Sequence, residues 1–146
     1  MEPARSFRDL KVYKAAAEAA NLLYEISKGF PLEERYSLTD QIRKSSRAVK
    51  AMIAEAWARR RYKAVFINKT DEALGEANET QSWLDDCLHA NYISHDEFTE
   101  LDGRYKAIGG MLSRMIDRAD DFCKHDPSAD YRNIVREEEE LPITDH

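Results

Sequence analysis

The sequence predicts an all-α fold, an antiparallel up-down-up-down four-helix bundle with a disordered acidic C-terminal tail. Apolar residues recur every three or four positions through four segments, which is the spacing of one helix face. Only five glycines and four prolines occur in 146 residues, too few for a β protein rich in turns. The connections between the four segments are short, which favours antiparallel neighbours.

The first helix is expected over residues 8–28, after a short leader. Its apolar face is wide, so the helix should contact neighbours on two sides. Gly29 suits a helix C-terminus, where a left-handed backbone conformation favours glycine. Pro31 cannot continue the hydrogen-bond ladder and ends the element.

The second helix, within residues 37–63, carries the clearest amphipathic pattern. Ser37 is expected to be its N-cap, with Asp40 completing a near capping box. The apolar stripe consists of Leu38, Ile42, Val49, Met52, Ile53 and Ala56. Ser45 and Ser46 lie on or beside that stripe and are small enough for a neighbouring helix to approach closely. The opposite side is basic and carries Arg43, Arg47 and Lys50.

The third helix is expected from residue 63 or 64 to residue 90. A heptad seam runs along it in steps of three and four residues: Ile67, Thr70, Leu74, Ala77, Gln81, Leu84 and Leu88. No glycine or proline clearly separates the second and third helices. The two therefore form either a bent pair or one long rod, with a boundary near Arg61.

Ser94 and Glu97 predict a capping box that opens the fourth helix, which follows the heptad pattern as far as Phe122. Gly109-Gly110 indicates either a close crossing or a kink within it. Residues 1–126 should form the bundle. Residues 127–146 contain four consecutive glutamates, from Glu137 to Glu140, and are expected to be the disordered tail.

The totals narrow the class of protein. A chain of this length is expected to form one domain. Cys87 and Cys123 are far apart without a C-x-x-C spacing, which favours reduced thiols in a cytoplasmic protein. No run of about 18 apolar residues predicts a membrane span. The net charge of -6 disfavours non-specific nucleic-acid binding by the whole surface.

Charge is segregated along the chain. Residues 37–63 contain eight Lys or Arg and two Asp or Glu, whereas residues 71–102 contain ten Asp or Glu and no Lys or Arg. Either the two regions complement each other inside one molecule, or a basic face on one subunit meets an acidic face on the next. The candidate subunit interface consists of Arg43, Arg47, Lys50, Glu55, Trp57, Glu76, Glu79 and Trp83.

Three of these interface candidates and one further cluster have alternative interpretations. Glu55 forms either an i,i+4 pair with Arg59 or a half-buried bond to a neighbouring helix. The two tryptophans either fill the core or mark a subunit contact. A basic cluster near the end of the second helix either complements the helix dipole or contacts nucleic acid: Arg59, Arg60, Arg61 and Lys63.

No pattern in the sequence predicts catalysis, a cofactor or a metal. A di-iron bundle needs Glu-x-x-His motifs, and the nearest match is a single Asp86-x-x-His89. Glu72, Glu76 and Glu79 stack along one helix, but solvated acidic faces are commoner than metal sites of this kind. No nucleophile elbow or glycine-rich phosphate loop occurs. The protein is therefore not expected to be an enzyme.

Several blocks occur in the order found in one protein family. They cover residues 7–13 (FRDLKVY), 30–43 (beginning Phe-Pro and containing YSLTDQIR), 53–55 (IAE), Phe66 and 76–84 (EANETQSWL). The chain resembles the four helix bundle proteins related to the 23S rRNA intervening-sequence proteins, a group that includes retroelement accessory variability proteins. Met52 and Ala56 stand where that family usually has Asn and Gly.

The resemblance implies antiparallel four-helix subunits assembled as a ring-shaped homopentamer, without an established enzyme activity. It also implies two contexts, because some members are encoded inside rRNA intervening sequences and others bind RNA and reverse transcriptase. The leading hypothesis is a cytoplasmic, non-enzymatic assembly module. The alternative is an RNA-binding accessory protein that uses its basic cluster on the assembled ring.

Overall fold

A computed structural model describes residues 3–124, which contain five helices and no strand. The helices are α1 (Lys11–Ser27), α2 (Leu38–Ala58), α3 (Lys63–His89), α4 (His95–Asp117) and α5 (Ala119–Cys123). Short 3-10 turns at Phe7–Asp9 and Leu32–Glu34 precede α1 and α2. The predicted all-α four-helix bundle is confirmed. The predicted boundary at residue 126 and the predicted tail at 127–146 lie outside the described residues.

The four long helices form a square. Each contacts its neighbours in chain order, and α1 closes the square by contacting α4, whereas the described parts of diagonal helices make no close backbone approach. Side-chain contacts show the antiparallel register: Ser45 and Glu55 of α2 meet Thr80 and Lys69 of α3, respectively. The core is made largely of aliphatic side chains, among them Leu23, Ile42, Val49, Ile53, Leu84, Leu101, Ile108 and Leu112.

The α3 helix carries two interlocked seams rather than the single predicted one. Thr70, Ala77 and Leu84 are buried as expected. The other buried positions are Phe66, Ala73, Thr80 and Cys87, whereas Ile67, Leu74, Gln81 and Leu88 are half-buried. The Leu74 side chain approaches Gly109 of α4, and Gln81 Nε2 donates to Asp102 Oδ1 at 3.0 Å. The predicted seam therefore faces α4, and the other one supplies the packing against α2.

Two helix-end predictions have opposite outcomes. The Ser94 capping box is confirmed, because Ser94 Oγ accepts from the Glu97 N–H and the Glu97 carboxylate accepts from the Ser94 N–H. Ser37 does occupy the N-cap position of α2, but its side chain makes no capping hydrogen bond, so the predicted capping box is wrong. The Ser37 hydroxyl donates instead to the Glu34 carboxylate at 2.7 Å, so it is drawn back toward the preceding 3-10 turn.

The left-handed residue expected at Gly29 is also absent, since none of the described glycines has a positive φ. Asn91, with φ of 61°, takes that conformation at the end of α3. Its N–H donates to Leu88 O at 3.0 Å, and the Tyr92 N–H donates to Cys87 O at 2.9 Å. This pair of bonds is a Schellman motif, which satisfies the carbonyls at the helix end.

The structure also decides the two open questions about helix continuity. The α2 and α3 helices are a bent pair, separated by residues 59–62. The α4 helix runs without interruption through Gly109-Gly110, and Gly109 packs against Leu74, where a Cβ atom would make an ordinary van der Waals contact at 3.5 Å. The break lies later, at Arg118, and Phe122 belongs to the separate α5 helix. None of the described helices is both long enough and apolar enough to cross a membrane.

Candidate interaction surfaces

A basic strip runs along the side of α2 that borders α1. It consists of Arg43, Arg47 and Lys50, and each cation lies over a tyrosine ring of α1. The Arg43 and Arg47 guanidiniums lie 4.7 Å and 5.0 Å from the Tyr24 ring centroid, and Lys50 Nζ lies 6.0 Å from that of Tyr13. Such cation–π contacts contribute about 0.5–1 kcal/mol each at exposed sites.

The basic strip is not neutralised within the described residues. No carboxylate from residues 3–124 lies within ion-pair distance of its three cations, although Arg43 Nε donates to the neutral Ser27 hydroxyl at 2.7 Å. By contrast, the neighbouring Lys44 on the same helix pairs with Asp40 at 3.3 Å. The strip therefore presents net positive charge beside the α1–α2 groove.

An acidic face lies along α3, on the side next to α2. It consists of Glu72, Glu76 and Glu79, spaced by about one helical turn. Burial raises the pKa of the Glu76 carboxyl, and the neighbouring carboxylates Glu79 and Glu72 raise it further. Lys69 balances one end of the row, with its Nζ at 3.2 Å from Glu72 and at 3.2 Å from Glu55. Within residues 3–124, no cation forms an ion pair with Glu76 or Glu79, so like charges are crowded along the middle of α3.

The contacts of Glu55 decide between its two interpretations. Its carboxylate bonds to Lys69 of α3, not to Arg59 of its own helix. The bond joins the two helices as the second interpretation requires, but the Glu55 side chain is 52% exposed rather than half-buried. Glu55 is therefore paired inside the subunit.

Trp83 lines a groove of about 760 Å³ at the end of the acidic face, between α3 and the start of α2. This tryptophan groove also includes Glu34, Tyr36, Leu38, Gln41 and Asp86. The Trp83 ring is half-buried, and its indole N–H is buried without an acceptor among the described residues. Two large side chains between α1 and α2 are highly exposed. Leu32, in the 3-10 turn, is 86% exposed, and Tyr36, just after that turn, is 84% exposed.

The other tryptophan, Trp57, lies at the opposite end of α2. The Arg60 guanidinium stacks 3.4 Å from its ring centroid, and Arg60 Nη1 donates to Trp57 O at 2.9 Å. Arg60 is only 1% exposed, so it does not belong to an exposed cluster. Not all four residues of the predicted nucleic-acid contact are therefore exposed and without an ion pair. Lys63 pairs with Asp120 at 2.6 Å, which leaves Arg59 and Arg61 as exposed members of the set without a described ion pair.

The predicted interface residues therefore fall into separate places. The basic strip and the acidic face flank α2 on two adjacent sides of the bundle, and no ion pair joins them within residues 3–124. Their mutual neutralisation inside one subunit is not observed. The sequence indicated the charges but not the supporting rings of Tyr13 and Tyr24. The signal that the sequence did offer was that these two tyrosines lie on the same face of α1, and this face borders α2.

Chemical groups suited to catalysis or metal binding do not converge in the described part of the chain. No cluster of three or more His, Cys, Asp or Glu side chains there could hold a metal ion. Asp86 and His89 lie on the rim of the tryptophan groove without a third such ligand. Cys87 and Cys123 are free thiols, and burial raises the pKa of Cys87 to about 12. A thiol with that pKa is almost entirely protonated at neutral pH.

Comparisons with known proteins agree with the fold and leave the activity open. A family model described as 23S rRNA-intervening sequence protein matches residues 8–114. One similar crystal structure is that of a protein with unknown function from the S23 ribosomal protein family of Bacteroides thetaiotaomicron VPI-5482. It is 29% identical, covers 73% of this chain and 95% of that chain, and has a TM-score of 0.66. No curated protein matches the chain.

Proposed function

The chain belongs to the 23S rRNA-intervening sequence protein family, and on that premise we propose that it is a non-enzymatic module that assembles into a homo-oligomeric ring. One observation carries the proposal. The basic strip and the acidic face are complementary and unpaired with each other, and they lie on different sides of the same subunit. Two different faces that meet between identical subunits form a heterologous contact, which closes into a ring when the rotation allows.

The angle between the two faces supports a small ring. Adjacent sides of a square bundle face directions about 90° apart. The two contact faces of a subunit face directions about 90° apart in a ring of four and about 108° apart in a ring of five. The arrangement around α2 therefore matches a ring of four most closely, and the pentamer that the family resemblance implies needs a somewhat wider angle between the faces.

Apolar contact must supply most of the affinity. Exposed ion pairs contribute only about 0–1 kcal/mol each, so charge sets direction and register rather than strength. The tryptophan groove lies beside the acidic face and has Tyr36 and Trp83 on its walls. Buried tyrosine and tryptophan side chains are the usual centres of binding energy in interfaces. We place the apolar centre of the contact at this groove, with the neighbour's basic strip over the acidic face.

Charge reversal tests the proposal. Arg43→Glu, Arg47→Glu and Lys50→Glu in one protein should lower the particle mass measured by light scattering to that of one chain. A matched control reverses three cations elsewhere, Lys28, Lys44 and Lys106, which are exposed and have carboxylate partners one turn away. The control should keep the wild-type mass.

Rescue distinguishes a direct contact from misfolding. Adding Glu72→Lys, Glu76→Lys and Glu79→Lys to the reversed strip restores opposite charges and should restore assembly. If the reversed strip leaves the oligomer unchanged, or if wild type is a single chain at every concentration, assembly through these faces is wrong.

The second candidate function is RNA binding, as in the accessory proteins that the resemblance implies. The basic strip favours RNA binding, because its cations have no carboxylate partner within residues 3–124 and lie beside aromatic rings. Such a combination suits contact with a phosphate backbone. In a ring, the exposed Arg59 and Arg61 of several subunits could add to this potential. A labelled structured RNA titrated at low and moderate salt tests it, since phosphate contacts weaken steeply with salt. Absence of binding at low salt would rule it out.

A further inference from the structure

The basic strip has a second possible occupant in the same chain. We propose that the acidic run Glu137–Glu140 docks on the basic strip of its own subunit and competes there with the acidic face of a neighbour. The contact stands on charge, spacing and reach. Its effect on assembly rests on the function proposed above.

The first support is reach. The described residues reach Lys124, just after α5, and α5 is held against the start of α3, which follows the end of α2. Phe122 stacks on Phe66 at 5.3 Å between ring centroids, and Asp120 pairs with Lys63 at the start of α3. From the end of α2, Lys50 is about 12 Å and Arg43 about 22 Å along the helix axis. The thirteen residues from Lys124 to Glu137 can span up to about 43 Å, which is enough to reach the whole strip.

The second support is spacing. Arg43, Arg47 and Lys50 are four and three residues apart, so they rise by about 6 Å and then about 4.5 Å along α2. In an extended segment, alternate side chains point the same way about 6.6 Å apart. An extended run would therefore match the Arg43–Arg47 step with two alternate glutamates, and the flexible Lys50 side chain lies one further helical step away.

The third support is that no carboxylate within residues 3–124 pairs with the three cations of the strip, whereas several lysines elsewhere in that part of the chain are paired. Lys28, Lys44, Lys63, Lys69 and Lys106 all pair with carboxylates. The strip cations lie over tyrosine rings, with Arg47 exposed and Arg43 and Lys50 half-buried. Four adjacent carboxylates on a short tether have an effective concentration near the millimolar range, so a weak contact suffices to occupy the strip.

Zero-length carbodiimide crosslinking of the full chain tests the contact, because it joins a lysine amine only to a carboxylate in direct reach. An equal mixture of light and 15N-labelled protein separates links within one chain from links between chains. We expect Lys50 joined to Glu137–Glu140 within one chain, with the yield at least threefold lower after Arg43→Gln and Arg47→Gln. Lys44 is the matched control, since it lies on the same helix but pairs with Asp40.

Three crosslinking outcomes would overturn the proposal: no link to Lys50, equal links to Lys44 and Lys50, or links between chains only. The consequence is tested by replacing Glu137–Glu140 with glutamine. The concentration at which half of the chains are assembled should fall at least threefold by light scattering. An unchanged concentration overturns the competition. A protein that never assembles refutes the proposed function instead, and the crosslinks still decide the contact.

Discussion

The hydroxyl pair between Ser45 and Thr80 gives a sharp test of how α2 and α3 are held in register, and this register places the acidic face beside α2. Both side chains are buried, at 1% and 0% exposure. Thr80 Oγ1 lies 2.9 Å from Ser45 Oγ and 2.9 Å from Glu76 O. Ser45 Oγ lies 3.3 Å from Ile42 O. Each hydroxyl therefore keeps a local carbonyl partner if the other is removed.

The expected loss of stability is modest because of these local carbonyl partners. A buried neutral hydrogen bond contributes a net stability of about 0.5–1.5 kcal/mol. Ser45→Ala and Thr80→Val should each lower the free energy of unfolding by about 1 kcal/mol, without the larger cost of an unsatisfied group. The double variant should lose about as much as either single variant, because the shared bond can be lost only once. The coupling energy is therefore expected at about 1 kcal/mol.

Urea unfolding followed by circular dichroism measures these differences. With a slope of about 1–3 kcal/mol per molar urea, a loss of 1 kcal/mol moves the midpoint by about 0.3–1 M. All variants must be compared at one protein concentration, because assembly would contribute to stability. Thr70→Val is the matched control: Thr70 is also buried, but its hydroxyl donates only to Phe66 O of its own helix, at 2.8 Å. Ser45→Ala and Thr70→Val should be additive. Additivity of Ser45→Ala with Thr80→Val as well would refute the inter-helix bond.

Three further predictions concern single residues. Burial and the neighbouring Glu79 carboxylate raise the pKa of Glu76 above its ordinary 4.5, so the native state binds the proton more tightly than the unfolded chain and this contribution to stability is lost as the pH rises above 4.5. Glu76→Gln should flatten the corresponding fall in urea midpoints, and an unchanged slope would contradict this. Burial raises the pKa of Cys87 to about 12, so a thiol reagent at pH 8 should modify Cys123 first and reach Cys87 only after unfolding. Equal rates of modification of the two thiols in the native protein would contradict this. Asn91 has a φ of 61°, a conformation that glycine adopts without strain and alanine does not. In thermal unfolding, Asn91→Gly should therefore leave stability unchanged or raise it, whereas Asn91→Ala should lower it by about 1 kcal/mol. Equal effects of the two substitutions would argue against the left-handed cap.

Local sequence was sufficient where a short segment satisfies its own backbone. Ser94 and Glu97 are three residues apart, and both halves of their capping box form as predicted. Ser37 stands at the predicted N-cap position but makes no capping bond, because Glu34 on the preceding turn competes for its hydroxyl. Gly29 failed as a left-handed residue because the chain leaves α1 without needing positive φ, whereas Asn91 adopts it in the turn after α3.

The candidate surfaces were predictable in composition but not in arrangement. The sequence identified Arg43, Arg47 and Lys50 as one basic side of a helix, and they do form one strip. It could not show that tyrosines of α1 lie beneath them, since that contact joins residues far apart in the chain. Arg60 looked like its exposed neighbours, yet it is buried against Trp57, because the turn after α2 directs its side chain inward.

By itself, the sequence determined four amphipathic helices, their approximate ends and the separation of basic from acidic segments. Helical periodicity is a local property, and each apolar stripe must be buried whatever covers it. Only the tertiary structure decided which of the two seams of α3 faces α2 and which faces α4, and therefore on which sides of the bundle the charges lie. Both seams share the same seven-residue period, so the choice between them depends on the neighbouring helices that each one packs against.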